Sequence, residues 1–221
     1  MKKPLIALTL LLSCLSHAFA LEIDNLDWEL KKEKGGIKVL SAVVPDSRFS
    51  AYLAITVVEA STDDLVQIIR NPATCTDWVY RCGESYRFAQ ETPNVDLVYT
   101  ASKMPFPLKD RDTLARITWE KDPRTQAVRA VGVATRDILA PLDQHIRIEQ
   151  ATVIWELTPL EDGSTLVRTF GHADPGGELP SWLTNQLSTE VPVKTLNGLK
   201  ALAAERQAQR RETFRYSVTQ F

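Results

Sequence analysis

Arg147 and Glu149 stand two residues apart in a segment of alternating apolar character, so a strand there carries both charges on one face with Ala151, Val153, Trp155 and Leu157. Such charges hold a polar group of a ligand, pair with each other inside a cavity, or form an ion pair at the strand end. An unpaired buried charge is the costly outcome. His172 and Asp174 also share a strand face and are spaced to orient one another, but no serine or cysteine nucleophile accompanies them in a recognisable motif. The chain has no Gly-x-Ser-x-Gly elbow, no phosphate-cradling glycine loop and no His-Glu-x-x-His helix. Beyond residue 20 only His145 and His172 remain for acid–base work, so the simplest reading of His172 is structural. No catalytic residue, metal or cofactor is expected.

Two further spacings matter. Cys75 and Cys82 close a short loop, and in an exported protein they are expected to form a disulfide that stabilises the fold by roughly 2 to 3 kcal/mol in the chain-entropy model. A zinc site with His145 or His172 is the alternative, at an unusual ligand spacing. The segment Met104–Asp112, "MPFPLKDRD", holds Pro105 and Pro107, which stiffen a loop whose Met104 and Phe106 either present an apolar tip or tuck one ring into the core.

The export signal lies at the start: Lys2 and Lys3, an apolar stretch from Pro4 to Leu15, and the small-residue cleavage site Ala18-Phe19-Ala20. The apolar run is shorter than the ~20 residues needed to span a bilayer. Residues 1–20 are therefore expected to be removed, which makes the protein periplasmic or secreted. A lipoprotein-like Leu11-Leu12-Ser13-Cys14 gives a second possibility, an anchor on Cys14. Cleavage removes two of 26 basic side chains and none of 28 acidic ones, leaving 24 against 28, a formal charge of −4. That excludes a nucleic-acid partner.

The elements that position these residues follow from periodicity. Alternation over Ile37 to Val44 and Arg48 to Glu59 predicts a hairpin around Pro45-Asp46. Ser61 or Thr62 caps a helix to Arg70, with Asp63 and Asp64 in its first turn, and Asn71-Pro72 stops it. Strands are predicted over Tyr86 to Gln90, Asp96 to Lys103, Thr113 to Glu120, Ala127 to Thr135, Ile146 to Leu157 and Thr165 to His172. Pro180 opens a closing helix whose buried side includes Leu183, Leu187, Val191, Leu196, Leu199 and Leu202, with a kink expected at Pro192. A sheet of about eight strands with one long helix to cover it must curl, and a curled sheet leaves room inside.

The ordered pattern "IRIEQATVIWELTPLEDGSTLVRTFGHADPGGELPSWLTNQ" is a strand, a Gly163 turn, a second strand, the elbow Asp174-Pro175-Gly176-Gly177 and a helix start with Trp182 and Asn185. Together with "MPFPLKDRD" it resembles the StAR-related lipid-transfer (START) family over essentially the whole mature chain. The resemblance implies an α+β helix-grip fold, a curled antiparallel sheet around a long C-terminal helix, spanning 21–212 with a tail at 213–221. It also implies that the proline-containing loop and the C-terminal helix border a cavity mouth. Its cavity residues are expected to be Val98, Ile117, Trp119, Arg147, Glu149, Trp155, His172, Trp182, Leu183 and Leu187, with Met104, Pro105, Phe106 and Pro107 as the lid.

The acidic and basic cavity positions of sterol-carrying members fall near Val98 and Ile117 here, both apolar, which leaves acyl lipid, phospholipid and sterol- or hopanoid-like ligands open. A monomeric, non-enzymatic lipid carrier that meets a membrane transiently is the function implied; related cyclases and hydrolases make a cavity enzyme the alternative. The basic tail with Arg206, Arg210, Arg211, Phe214, Arg215 and Tyr216 meets anionic headgroups or is a solvated helix end.

Overall fold

The structure, a computed structural model, describes residues 25–136, 138–177 and 179–218, without side chains at Ser181, Trp182, Asn185 and 214–218. The expected export signal, Cys14 and the side chain of Trp182 lie outside what is described.

Among the described residues, ten strands form one sheet: β1 (Glu29–Lys34), β2 (Ile37–Ala42), β3 (Ala51–Val58), β4 (Cys82–Thr92), β5 (Val95–Ser102), β6 (Asp110–Lys121), β7 (Val128–Ala134), β8 (His145–Arg147), β9 (Gln150–Pro159) and β10 (Thr165–Asp174). Their order is β1-β2-β3-β10-β9-β7-β6-β5-β4, with β8 pairing β6 in parallel. The expected hairpin is present, with Ile37 opposite Thr56 and Ala42 opposite Ala51. The first helix, α1 (Thr62–Ile69), is capped by Ser61, whose hydroxyl accepts from the Asp64 amide at 3.2 Å. At the start of α1, Thr165 of β10 donates to Ala60 O at 2.7 Å and meets the Thr62 hydroxyl at 3.2 Å, which docks the helix on the sheet.

The strands depart from expectation at two places. Strand β1 was not anticipated, because Glu-Leu-Lys-Lys-Glu-Lys has no apolar alternation; it is an exposed edge strand that pairs with β2 through its backbone, with Glu33 3.7 Å from Lys38 across the ladder. The single strand expected over Ile146 to Leu157 is two strands, broken at Ile148 and Glu149. The break follows from Asp112 on β6, whose backbone carbonyl accepts the Ile148 amide at 2.8 Å and whose carboxylate holds Arg147.

The closing helix α3 (Ser181–Val218) continues through Pro192, and residues 213–218, expected as a tail, extend it. One stripe of α3, Leu196, Leu199 and Ala203, packs with Leu65 and Ile68 of α1 and with Ile37, Val39, Val58, Leu157 and Val167 from the sheet. A short helix α2 (Cys75–Trp78) is pressed against it: a Cβ at Gly198 would lie 2.2 Å from Trp78 O, so only glycine permits this approach. Near the far end of α3, Arg210 meets Asp64 at 2.6 Å and Gln207 donates to Glu59 O at 2.6 Å. Arg210 holds the Asp64 carboxyl below the usual carboxylate range.

Candidate functional site

Between the curled sheet, α2 and the first half of α3 lies a cavity of 660 Å³. Strand alternation decides what enters it. On β6, Arg111, Thr113, Ala115, Ile117 and Trp119 line the cavity, as do Val98 and Thr100 on β5, Ala130 and Gly132 on β7, and Ala151, Val153 and Trp155 on β9. The cross-strand pairs Trp119↔Ala130 and Ala130↔Trp155 put two tryptophans in one row, with a small residue between them. Trp78 of α2 closes on Trp155 edge to face, ring centroids 5.8 Å apart. From α3 come Leu187 and Val191.

The expected cavity residues Val98, Ile117, Trp119, Trp155 and Leu187 are thus together. Others are not. Leu183 is fully buried, but away from the cavity. His172 adjoins the cavity through its position in β10, yet it alternates with the inward Gly171 and Ala173, shares the face of Phe170, and its Nε2 lies 3.0 Å from Ser47 Oγ. Burial pushes its pKa down, which favours the neutral ring.

Arg147 and Glu149 do not face the cavity, and they do not pair with each other. The Arg147 guanidinium grips Asp112 through two contacts of 2.8 and 2.9 Å on the convex side of the sheet and donates to Leu139 O and Ala140 O. Their side chains are 8% and 0% exposed. Glu149, 59% exposed, lies 3.5 Å from Arg136. Beside this pair Tyr99 packs with Ala101, Leu114 and Leu139, and burial together with the Asp112 carboxylate pushes its phenol up to about 12.

Charges inside the cavity are mostly committed. Arg111 spends its guanidinium on three carbonyls, those of Pro175, Lys109 and Gly176, and so ties the start of β6 to the elbow before α3. Asp96 on β5 is engaged by Arg70 at 2.8 Å and Arg87 at 3.0 Å, while the Arg70 guanidinium sits 5.5 Å from the Trp119 ring centroid. Asp96 was missed; its signal was the spacing of two from Val98, which places both on the inner face.

The lining reaches the surface at the exposed Arg48 and Ser50 of the β2–β3 connection and includes Met104 of the β5–β6 loop, Pro175 of the elbow and Thr184 near the start of α3, and we take this end as the mouth. Of the expected lid only Met104 lines the cavity; Pro105 and Pro107 do not, and Phe106 points to solvent at 97% exposure, settling its two readings in favour of an exposed tip. Cys75 and Cys82 are bonded, with Cα atoms 6.0 Å apart, and the loop they close supplies the wall residues Trp78 and Val79. That loop also clips α3. Tyr80 N donates to the Thr195 hydroxyl, Lys194 lies 4.2 Å from the Tyr80 ring centroid, and Arg81 donates to Gln186 at 3.0 Å and to Lys103 O at 3.2 Å. Arg81 therefore joins the root of the β5–β6 loop to the helix across the mouth. The described residues hold no His, Cys, Asp and Glu group able to bind a metal.

The family model described as START domain matches residues 22–209. An uncharacterized protein of Pseudomonas aeruginosa is 29% identical over 180 residues, covering 81% of this chain and 88% of that protein. A solved STAR-related lipid transfer protein fragment from Xanthomonas axonopodis is 30% identical, with a TM-score of 0.73 over 80% of this chain and 98% of that one. Human STARD10 superimposes with a TM-score of 0.72 at 17% identity, over 86% and 78% of the two chains, a likeness of fold.

Proposed function

The chain belongs to the START domain family, and from that premise and its cavity we propose that the protein binds one hydrophobic lipid and carries or presents it without chemical change. The observation that carries this reading is the 660 Å³ cavity walled by Trp78, Trp119, Trp155, Ile117 and Val98. At ~0.8 kcal/mol per buried methylene, a 16-carbon chain gains ~12 kcal/mol gross before ordering costs, enough for capture without a dedicated polar contact.

Entry and release occur where Met104 and the start of α3 border the mouth, once the Arg81 clip between Lys103 and Gln186 lets go. Phe106, flanked by exposed Lys103 and Lys109, is the tip that meets a membrane during exchange. Removal of residues 1–20 would place this activity in the periplasm or outside the cell.

Native mass spectrometry of protein purified from its own envelope tests the reading: one lipid per chain is expected, released by organic extraction with its mass unchanged. A chain that arrives empty and also rejects lipids in titration contradicts it. Turnover of the bound lipid into a product of different mass contradicts the non-enzymatic part alone.

A further inference from the structure

We propose that the ligand is a single-chain amphiphile with an anionic head, its tail among the tryptophans and its head at Arg48. This rests on the lipid-carrier reading and adds the ligand class. Capacity limits the tail. Taking roughly 30 Å³ for a methylene-sized group, the share of one water in the liquid, 660 Å³ admits about 22 such groups. A 16-carbon fatty acid has about 18 heavy atoms and fits, whereas a diacyl phospholipid, with two such chains plus glycerol and phosphate, exceeds that count more than twofold. Ligands of this kind are buried over most of their surface, so a second chain left in water is a poor fit.

Charge orients the ligand. Among the described residues, three arginines line the cavity: Arg70, Arg111 and Arg48. Arg70 is spent on Asp96, and Arg111 on three backbone carbonyls. Arg48 is exposed and has no carboxylate partner among the described residues; its contact is the ring of Phe49, 5.6 Å from its guanidinium. The cavity's lining carboxylate, Asp96, is already held by two arginines, so it neither repels an anion nor recruits a cation.

The position of Arg48 fits a head at the entrance. Ser47 is bonded to His172 at the end of β10, and the elbow leads from there through Pro175 to the start of α3, so Arg48 stands at the mouth. The tryptophan row lies further in, at Trp119↔Ala130 and Ala130↔Trp155. A tail reaching that row leaves its head beside Arg48 and Ser50, both lining residues.

Titrating the protein with palmitate, a palmitoyl lysophosphatidylglycerol, hexadecanol and dipalmitoyl phosphatidylglycerol, read by calorimetry, tests both parts. Palmitate and the lysolipid are expected to bind one per chain, at least tenfold more tightly than hexadecanol and the diacyl lipid; the tighter of the two identifies the head as carboxylate or phosphate. Arg48→Gln should lose about tenfold for both anions and nothing for hexadecanol, at an unchanged melting temperature. Diacyl lipid binding one per chain as tightly as palmitate overturns the single-chain class but leaves the carrier reading standing. Equal anion affinity in Arg48→Gln overturns the assignment of the head. Rejection of all four probes overturns the carrier reading with it.

Discussion

The two faces of the same strands meet opposite fates. On the convex side of β6 and β5, Asp112, Leu114, Tyr99 and Ala101 are covered by the segment carrying Leu139 and Arg147, and Trp28 seats on Phe170 at 6.1 Å between ring centroids. On the concave side, residues one step along the same strands face 660 Å³ of unfilled space. Charge follows the same division. The convex face uses a buried bidentate ion pair to fasten a crossing segment, while the concave face commits Arg70, Arg111 and Asp96 to backbone and to one another and leaves Arg48 without a carboxylate among the described residues. The filled face therefore carries stability and the unfilled face is left for a ligand, so substitutions on the two should separate folding from binding.

The largest effect is expected on the filled face. Arg147→Ala leaves the Asp112 carboxylate buried and unpaired, and should cost about 3 to 5 kcal/mol in chemical denaturation while the surviving folded fraction keeps its ligand affinity. Gly198→Ala drives a methyl into Trp78 O and should cost about 1 to 3 kcal/mol by the same assay. Because α2 then shifts away from α3 and carries the wall residue Trp78 with it, this variant should also lose affinity.

Smaller effects come from the mouth. Arg81→Ala should lower stability by about 1 kcal/mol yet raise the ligand off-rate several-fold in stopped-flow fluorescence, since it releases both α3 and the β5–β6 loop. Phe106→Ser should leave the free energy of unfolding within about 0.5 kcal/mol of wild type and reduce sedimentation with anionic vesicles. The smallest effect is pH-dependent. His172 has a depressed folded pKa, so its contribution is complete above its unfolded pKa of about 6.5 and is lost as the pH falls through the lower folded value. His172→Gln should flatten that part of the stability profile without altering ligand affinity.

Much of this architecture was legible in the chain. The β2–β3 hairpin, the Ser61 cap and the inward row Val98, Ile117, Trp155 follow from period-two alternation and turn chemistry, which are local properties. The Cys75–Cys82 bond was expected from the short spacing of the two cysteines and the expected export. What could not be read is what depends on distant partners. The apolar phase shifts from Ile146 and Ile148 to Ala151, Val153 and Trp155, which marks a break, but the reason Arg147 is held on the convex face is Asp112, thirty-five residues earlier. Asp96 and Arg70 were illegible as a pair for the same reason, since Arg70 reaches from the end of α1 to a residue of β5 twenty-six positions later. Strand β1 has no pattern to read, since an edge strand of charged residues needs only a backbone neighbour.

The division between a filled and an unfilled face is tested most directly by filling the cavity. Ala115 lies on the concave side of β6, between Thr113 and Ile117, and it lines the open space. Palmitate titrated into Ala115→Trp, compared with wild type by calorimetry alongside melting temperature, should show binding abolished and the melting temperature unchanged or raised. Undiminished binding of one palmitate per chain in a folded Ala115→Trp would place the ligand elsewhere and contradict the account.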